Sequence, residues 1–355
     1  MWIVSLLNPD WETKRAVILG CSGPELTDEE SNFYKKTRPL GFILFKRNCE
    51  TPKQLKALTT ALRSITGPSN TPILIDQEGG SVARLSSPNW RDPPAARTIG
   101  NLAERDLKKG CRLAYLNSRL IGRELIKMGI NVNCSPVLDV STENTHGIIG
   151  TRAYSGTAHI VRDVGECICR GLAEEGVLPI IKHIPGHGRA KTDSHLELPI
   201  VDENIETLKT TDFIPFQQHN SFPWAMTAHI LYKHLDRDNP ATHSKKIIST
   251  IIRKEISFDG IVLSDDIGMK ALEGDFSERA LKSLKAGCDI AMHCSGDITE
   301  MKTFVKKVPK LTKFSQIRLA KTQSWVRAIR AKAPEISERA IKREVYKLLD
   351  NLTSH

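Results

Sequence analysis

Residues 260–266 read Gly-Ile-Val-Leu-Ser-Asp-Asp, a short continuous apolar run that ends in polar residues. A continuous run is typical of a parallel strand covered on both faces, whereas a strand with one face in water alternates between apolar and polar residues. Seven further runs share this pattern, so the chain contains eight strand candidates. They lie at residues 16–19, 41–45, 72–75, 130–137, 178–184, 224–228, 260–263 and 289–292.

Segments with helical periodicity or composition separate the strand candidates, at residues 52–64, 102–128, 160–175, 205–219, 247–256 and 269–286. Sustained alternation of strand and helix predicts an α/β fold, specifically a (β/α)8 TIM barrel. An open doubly wound sheet is the alternative, but no Gly-x-Gly-x-x-Gly turn follows any strand candidate. We predict a catalytic barrel over residues 1–300 and a basic helical extension over residues 301–355, packed on the barrel or trailing from it.

The formal net charge of +10 raises the question of an acidic partner. Residues 302–355 carry 14 Lys/Arg against 4 Asp/Glu, so the whole excess lies in this tail. The tail has the pattern of one or two amphipathic helices broken near Pro309 and Pro334, and it has too few aromatic residues to stack bases. We therefore expect a closing helix with a solvated basic surface and no nucleic-acid partner. A nucleic-acid-binding arm is the alternative.

The sequence also predicts where the protein resides. It contains no run of 18 apolar residues and no basic region with a cleavage site at its start, so we predict no membrane span and no signal peptide. We expect a cytoplasmic monomer. The eight cysteines are scattered through apolar segments without a Cys-x-x-Cys pair, which favours buried thiols over disulfides.

The active site of such a barrel lies at the carboxyl ends of its strands. We expect one carboxylate of Asp265 and Asp266 to face the site, where it can act as a nucleophile or stabilise a cation, and the other to cap a helix from residue 267. Ionisable residues follow almost every other strand candidate as well. They are Asp76, Glu78, Arg84, Asp139, Arg152, Lys182, His183, His187, His229 and His293.

Asp193 and His195 lie in the loop after the fifth strand candidate, separated by one residue. In an extended segment the two side chains can point the same way, so that the carboxylate orients the imidazole and raises its basicity. The pair is a candidate general acid/base, and an ordinary polar surface loop is the alternative. Gly186 and Gly188 permit unusual backbone angles and would let the loop move over a substrate.

The histidines at the strand ends, taken together with Asp265, could instead belong to a metal-dependent barrel hydrolase. Against this alternative, the sequence has no His-x-His pair at a strand end and no His-Glu-x-x-His helix, and Lys182 would place a cation beside the ion. Arginine and lysine donors near the Asp76 carboxylate suit a sugar, whose hydroxyls both donate and accept hydrogen bonds. The residues alone therefore predict an Asp-dependent hydrolase or transferase that acts on a saccharide, and a metal-dependent hydrolase is the alternative.

Six segments in this order resemble glycoside hydrolase family 3, over about residues 15–294. The likeness is strongest to its single-domain bacterial β-N-acetylglucosaminidases of peptidoglycan recycling, the NagZ type. The segments are Asp-Gln-Glu-Gly-Gly at 76–80, Ser-Pro-Val-Leu-Asp-Val at 135–140, Ile-Gly-Thr-Arg at 149–152, Lys-His-Ile-Pro-Gly-His-Gly at 182–188 with Asp-Ser-His at 193–195, Ala-His-Ile at 228–230, and Phe-Asp-Gly-Ile-Val-Leu-Ser-Asp-Asp at 258–266.

The resemblance implies a retaining enzyme that removes terminal non-reducing β-linked N-acetylglucosamine from muropeptides in which that sugar is linked to anhydro-N-acetylmuramic acid. It implies Asp265 as nucleophile and His195 as acid/base, supported by Asp193, and it implies neither metal nor cofactor. The substrate-binding residues implied by the resemblance are Asp76, Arg84, Arg152, Lys182 and His183.

The sequence departs from the family pattern at three positions near the site. Ser81 stands where many members carry arginine, and Thr151 and Ala153 flank Arg152 where other residues are common. These departures can alter contacts to the leaving group. A histidine acid/base also repels an incoming anion less than a carboxylate would, so phosphate is a candidate competitor of water.

Overall fold

Eight parallel strands close into a barrel at the centre of the fold. The structure is a computed structural model that describes residues 8–67, 71–143, 145–217 and 224–353. Consecutive barrel strands pair side by side, and the eighth pairs with the first. The strands are β1 (Arg15–Leu19), β2 (Pro39–Leu44), β3 (Ile73–Ile75), β4 (Val132–Asn133), β5 (Leu178–Ile184), β6 (Trp224–Thr227), β7 (Ile261–Asp266) and β8 (Ile290–His293). The predicted (β/α)8 barrel is confirmed.

Burial of both strand faces explains the continuous apolar runs. Every residue of β5 is buried, including Lys182 and His183 near its carboxyl end. The strands pack inward on one another and outward on the helices, which removes nearly all their apolar surface from water.

The predicted strand at 130–137 is shorter than expected. Only Val132 and Asn133 pair regularly, and Pro136 follows with no N–H to continue the ladder. Beyond it, the Leu138 N–H donates to the carbonyl of Lys182 (2.6 Å). The chain therefore leaves the barrel early and then returns beside β5.

Eleven α-helices lie among the described residues. They are α1 (Asp28–Thr37), α2 (Pro52–Thr66), α3 (Ala96–Arg105), α4 (Leu107–Lys127), α5 (Ala158–Glu174), α6 (Ile205–Thr210), α7 (Ile214–Gln217), α8 (Phe276–Ala286), α9 (Ile298–Phe304), α10 (Lys313–Ala331) and α11 (Glu338–Thr353).

Shorter elements complete the chain. A π-helix covers Ile247–Glu255, and 3-10 turns cover Pro9–Thr13, Lys46–Asn48, Gly150–Arg152, Ala241–His243 and Val305–Lys307. Two small sheets lie outside the barrel. The antiparallel one joins Gln77–Gly79 to Val82–Ala83, and the parallel one joins Ile200–Val201 to Leu231–Tyr232.

Three predicted helices differ from the structure. The helix predicted at 102–128 is two helices, because Asp106 leaves the helical conformation and its side chain accepts a hydrogen bond from the backbone of Lys109 as the N-cap of α4. The helix predicted from residue 269 begins only at Phe276, capped by Asp275. The helix predicted at 205–219 is the two short helices α6 and α7, and its last residues, 218–219, lie outside the described part of the chain.

The basic tail packs against the barrel and its helices. On α10, Ser315 Oγ donates to Asp289 Oδ1 (2.8 Å) and Arg318 Nη1 lies 2.9 Å from the same oxygen. On α11, Glu344 pairs with Arg112 of α4 (2.8 Å). Both predicted helix breaks fall between helices. The domain boundary at residue 300 stays a prediction.

Within the described ranges, no helix combines the length and the apolar character needed to cross a membrane.

We expect Leu319→Ala on α10 to lower the free energy of unfolding by about 2 to 3 kcal/mol, because this core side chain is only 3% exposed. Phe314 lies on the same helix and is 73% exposed, so Phe314→Ala should change stability by no more than about 0.5 kcal/mol. Urea unfolding of the full chain measures both. Equal effects would show that α10 is not part of the folded core.

Candidate active site

A cavity of about 290 Å³ opens at the carboxyl ends of the barrel strands. All the residues that the family resemblance implied for the site line it, apart from Asp193, which contacts His195. The lining comes from the ends of β2, β5, β6, β7 and β8 and from the segments that follow β2, β3, β4, β5, β7 and β8. Its polar and sulfur-bearing members are Asp76, Glu78, Arg84, Arg152, Lys182, His183, His187, Ser194, His195, Met226, Asp265, Asp266, Met269, Met292 and Cys294.

Lys182 is the centre of a buried ion network in this cavity. Its ammonium nitrogen lies 2.8 Å from Asp76 Oδ1 and 2.6 Å from Glu78 Oε1. Burial alone would lower the pKa of Lys182, but the two carboxylates outweigh it and raise that pKa above its usual range. The amine therefore stays protonated and holds both carboxylates in place.

The two carboxylates each have a second cationic partner. Arg84 Nη2 lies 3.1 Å from Asp76 Oδ2, and Arg152 binds Glu78 through two parallel bonds of 2.8 Å. Burial alone would raise the pKa of both carboxyl groups, but the arginines and Lys182 have the larger, opposite effect. Both pKa values therefore lie below their usual range. The network presents fixed charged donors and acceptors to a ligand.

A third buried carboxylate, Asp139, fixes two histidines, one at the end of β5 and one in the loop that follows. It accepts hydrogen bonds from the backbone N–H groups of His183 (3.1 Å) and His187 (2.7 Å). His183 Nδ1 lies 2.7 Å from Asp139 Oδ2, which leaves its Nε2 for the cavity. Burial opposes the charge of Asp139, but the histidines hold its pKa at about 2. Burial lowers the pKa of His187 to about 4, so that ring is neutral at pH 7.

Asp265 and Asp266 at the end of β7 differ in their surroundings. Asp265 lines the cavity, and its Oδ1 accepts a hydrogen bond from the Asp266 backbone (2.8 Å). Asp266 Oδ1 accepts from the backbone N–H groups of Gly268 (2.9 Å) and Cys294 (3.1 Å). The expectation of a helix from residue 267 was wrong, because a turn follows and Asp266 anchors that turn instead of a helix.

Two strand-end histidines lie behind the cavity wall. His229 Nε2 lies 3.0 Å from the Asp266 carbonyl, and its Nδ1 lies 2.7 Å from Thr242 Oγ1. Burial lowers the pKa of His229, so a neutral ring donates to that carbonyl. His293 is fully buried, with its ring 5.0 Å from Phe276. Neither histidine lines the cavity, and both support the strand ends.

The loop that carries Asp193 and His195 reaches the same cavity. His195 Nδ1 lies 2.7 Å from Asp193 Oδ1, which also accepts the His195 backbone N–H (2.9 Å). Burial raises the pKa of Asp193, but these hydrogen bonds lower it more. Ser194 docks the loop, since its carbonyl accepts from the Ala271 N–H (3.3 Å) and its Oγ lies 3.3 Å from His187 Nε2. The His195 side chain is 59% exposed and free to meet a substrate.

The metal alternative was tested against the geometry. Across the described segments, no group of three or more His, Cys, Asp or Glu side chains has an arrangement that could hold a metal ion. His229 and His293 are held by other protein groups, as described above.

Several residues in or beside the cavity were not assigned a role from the sequence. Glu78 follows Asp76 by two residues and so shares its direction in an extended segment, which is a signal that the sequence did contain. Asp139 was noted as polar at a strand end, but only the fold brings its carboxylate to the His183 and His187 amides. The lining residues Met226 and Met292 gave no signal, because a methionine in an apolar run is typical of the core.

The chain is similar to proteins named beta-hexosaminidase. It is 33% identical to one from Methylobacillus flagellatus over 285 residues, which cover 79% of this chain and 80% of that protein. It is 35% identical to one from Thioalkalivibrio sulfidiphilus over 283 residues, with the same two shares.

Solved structures share the fold over nearly the whole chain. NagZ from Neisseria gonorrhoeae superposes with a TM-score of 0.83 and is 28% identical, over 95% of this chain and 98% of that one. A complex of the same protein with N-trifluoroacetyl-D-glucosamine gives a TM-score of 0.82 at 27% identity, over 96% and 98%. Residues 13–329 match the family described as the glycosyl hydrolase family 3 N terminal domain. The chain therefore belongs to glycoside hydrolase family 3, as its motifs predicted.

Proposed function

We propose that this family 3 β-N-acetylhexosaminidase is a retaining exo-enzyme that uses Asp265 as its nucleophile. The observation that carries the proposal concerns the four carboxylates lining the cavity. Asp76 and Glu78 are ion-paired, and Asp266 is bound by backbone amides and lies 3.6 Å from His293 Nδ1. Asp265 alone of the four forms no ion pair with a described residue, so it has an oxygen available to attack.

His195 supplies and removes the proton in this proposal. With Nδ1–H donated to Asp193, the protonated Nε2 gives its proton to the leaving oxygen while Asp265 bonds to the anomeric carbon. The neutral imidazole then takes a proton from water as that water attacks the anomeric carbon and frees the Asp265 carboxylate. Two inversions at one carbon retain the configuration. Asp193 stabilises the imidazolium form in each cycle.

The ion network around Lys182 would bind the sugar. Asp76 can accept hydrogen bonds from hydroxyls, whereas Arg84, Arg152 and Lys182 can donate to ring and carbonyl oxygens. His183 adds a ring nitrogen, Nε2, whose orientation is fixed by the contact of Nδ1 with Asp139. A volume of about 290 Å³ is at the lower end for small-molecule sites, which suits a single terminal sugar residue.

The substrate proposed is a muropeptide with N-acetylglucosamine linked to anhydro-N-acetylmuramic acid. The likeness to gonococcal NagZ and the N-trifluoroacetyl-D-glucosamine bound to that protein support an N-acetylated sugar at the site. We propose that the enzyme acts as a cytoplasmic monomer in cell-wall recycling and needs neither metal nor cofactor.

Asp265→Asn should lower kcat on a β-linked chromogenic N-acetylglucosaminide by roughly a thousandfold or more, because an amide of the same shape cannot form the glycosyl ester. The measurement is release of the chromophore and of N-acetylglucosamine. Asp259→Asn is the matched control, since Asp259 lies in the loop before β7, at the opposite end of that strand, and is 64% exposed. Near-normal turnover by Asp265→Asn would rule out this nucleophile, and loss of wild-type activity in a chelator would favour a metal-dependent hydrolase.

His195→Ala should lower kcat/KM by about 100- to 10,000-fold on substrates with a poor leaving group, because those need a proton at the departing oxygen. An activated aryl glycoside needs little protonation and should lose much less. The ratio of the two losses is the measurement, and His159→Ala, at an exposed position on α5, is the control. Equal losses on both substrates would contradict the assignment of His195 as the acid.

A further inference from the structure

Two partly exposed cysteines lie on neighbouring helices outside the cavity. Of the eight cysteines, five are buried, and Cys49, Cys111 and Cys167 are partly exposed. Cys111 lies in the first turns of α4, and Cys167 lies in the middle of α5. The thiols of Cys111 and Cys167 each influence the pKa of the other, so the two side chains lie close enough to interact. The proposed mechanism uses neither of them.

The packing of α4 on α5 indicates independently that the two cysteines are neighbours. A Cβ added at Gly171 would lie 2.6 Å from the Tyr115 carbonyl and would also collide with Ser118 Oγ, so the two helices touch there at the level of their backbones. Further along, a Cβ at Gly122 would lie 2.8 Å from the Cβ of Glu175. From the first contact to the second, the residue numbers rise on both helices, so α4 and α5 run parallel.

One turn of an α-helix is about four residues, so the contact one turn nearer the N-terminus of both helices involves residues numbered about four lower on each. From the contact of Gly171 with Tyr115, this step places Cys167 opposite Cys111. The register of the two helices therefore brings the two cysteines together, in agreement with their mutual influence on pKa. Cys169, two residues later, is fully buried and faces the core.

We propose that Cys111 and Cys167 are a modification site, a dithiol pair that a peroxide converts into a reversible disulfide between α4 and α5. In the first step a thiolate attacks one peroxide oxygen and the O–O bond breaks, which gives a sulfenic acid and hydroxide. The second thiol then attacks the sulfenic sulfur and releases water. In total, two thiols and one hydrogen peroxide give one disulfide and two waters.

The contact between the two thiols favours the first step. Each thiol can stabilise the thiolate of the other, whereas burial opposes the ionisation of both. Because the thiolate is the nucleophile, the thiol that ionises attacks the peroxide and its neighbour resolves the sulfenic acid. A dithiol reductant would reverse the bond by thiol–disulfide exchange.

The cross-link would join α4 to α5, and side chains of α4 bind the segment between α10 and α11. Arg119 of α4 donates to the Pro334 carbonyl (3.2 Å) and pairs with Glu174 of α5 (2.9 Å). Arg123 of α4 donates to the Ile336 carbonyl (2.8 Å). A disulfide between α4 and α5 restricts the unfolded chain, so the oxidised protein should melt several degrees higher than the reduced one. Glycosidase activity should not change, because neither cysteine lines the cavity.

The test treats the full chain with hydrogen peroxide, denatures it in excess alkylating agent and counts alkylated thiols by intact mass. Wild type should fall from eight labels to six and return to eight after a dithiol reductant. Cys49→Ser is the matched control, because Cys49 is also partly exposed but lies elsewhere, and it should fall from seven to five. Cys111→Ser and Cys167→Ser should form no such disulfide, and peptide mapping of wild type should join the peptides that contain these two residues.

The proposal is overturned if wild type keeps all eight labels, or if the disulfide joins other cysteines. Loss of two labels by reversible cross-linking in Cys111→Ser would overturn it as well. A thermal melt of each variant before oxidation checks folding. Oxidised wild type that melts at the temperature of the reduced protein would contradict the stabilising effect.

Discussion

The buried ammonium of Lys182 is the interaction on which the active site depends. It places one positive charge between two carboxylates, Asp76 and Glu78, at the mouth of the barrel, where isolated charges would be costly. Arg152 and Arg84, from the loops after β4 and β3, give each carboxylate a second cationic partner. Removing Lys182 would leave each buried carboxylate with one cation instead of two, so the ammonium holds these segments in one arrangement.

The same network distinguishes the proposed binding carboxylates from the proposed nucleophile. Asp76 and Glu78 are engaged by cations, whereas Asp265 forms no ion pair with a described residue. The turn after β7 adds to this difference. Asp266 directs its carboxylate to the amides of Gly268 and Cys294, and its own N–H donates to Asp265. Two adjacent carboxylates of one strand thus have different surroundings, and the proposal gives them different roles.

Much of this arrangement was predictable from the sequence, because strand ends in a barrel converge and the apolar runs locate those ends. The convergence of Asp76, Lys182 and Asp265 on one cavity follows from that rule alone. The spacing of Asp193 and His195 predicted their contact, which the structure shows at 2.7 Å. Their roles in catalysis remain proposals.

Other features depend on contacts between distant segments. The buried partners of Asp139 come from the end of another strand and the loop after it, so no local pattern indicates them. The early end of β4 follows from Pro136, whose effect a hydrophobic pattern does not reveal. The cysteines were expected to be buried, yet the register between α4 and α5 leaves Cys111 and Cys167 partly exposed and adjacent. Helix–helix register is a property of the packed structure.

The central claim is that Asp265 becomes covalently glycosylated. It is tested most directly by reacting the enzyme with an activated N-acetylglucosaminide that carries a fluorine on the sugar ring, because the fluorine destabilises the cation-like transition state and slows breakdown of the intermediate. The account predicts an intact mass increased by one glycosyl unit, with the adduct located on Asp265 by peptide mapping. An adduct on another carboxylate such as Asp76 or Asp266, or a first-formed sugar of inverted configuration with no adduct, would contradict it.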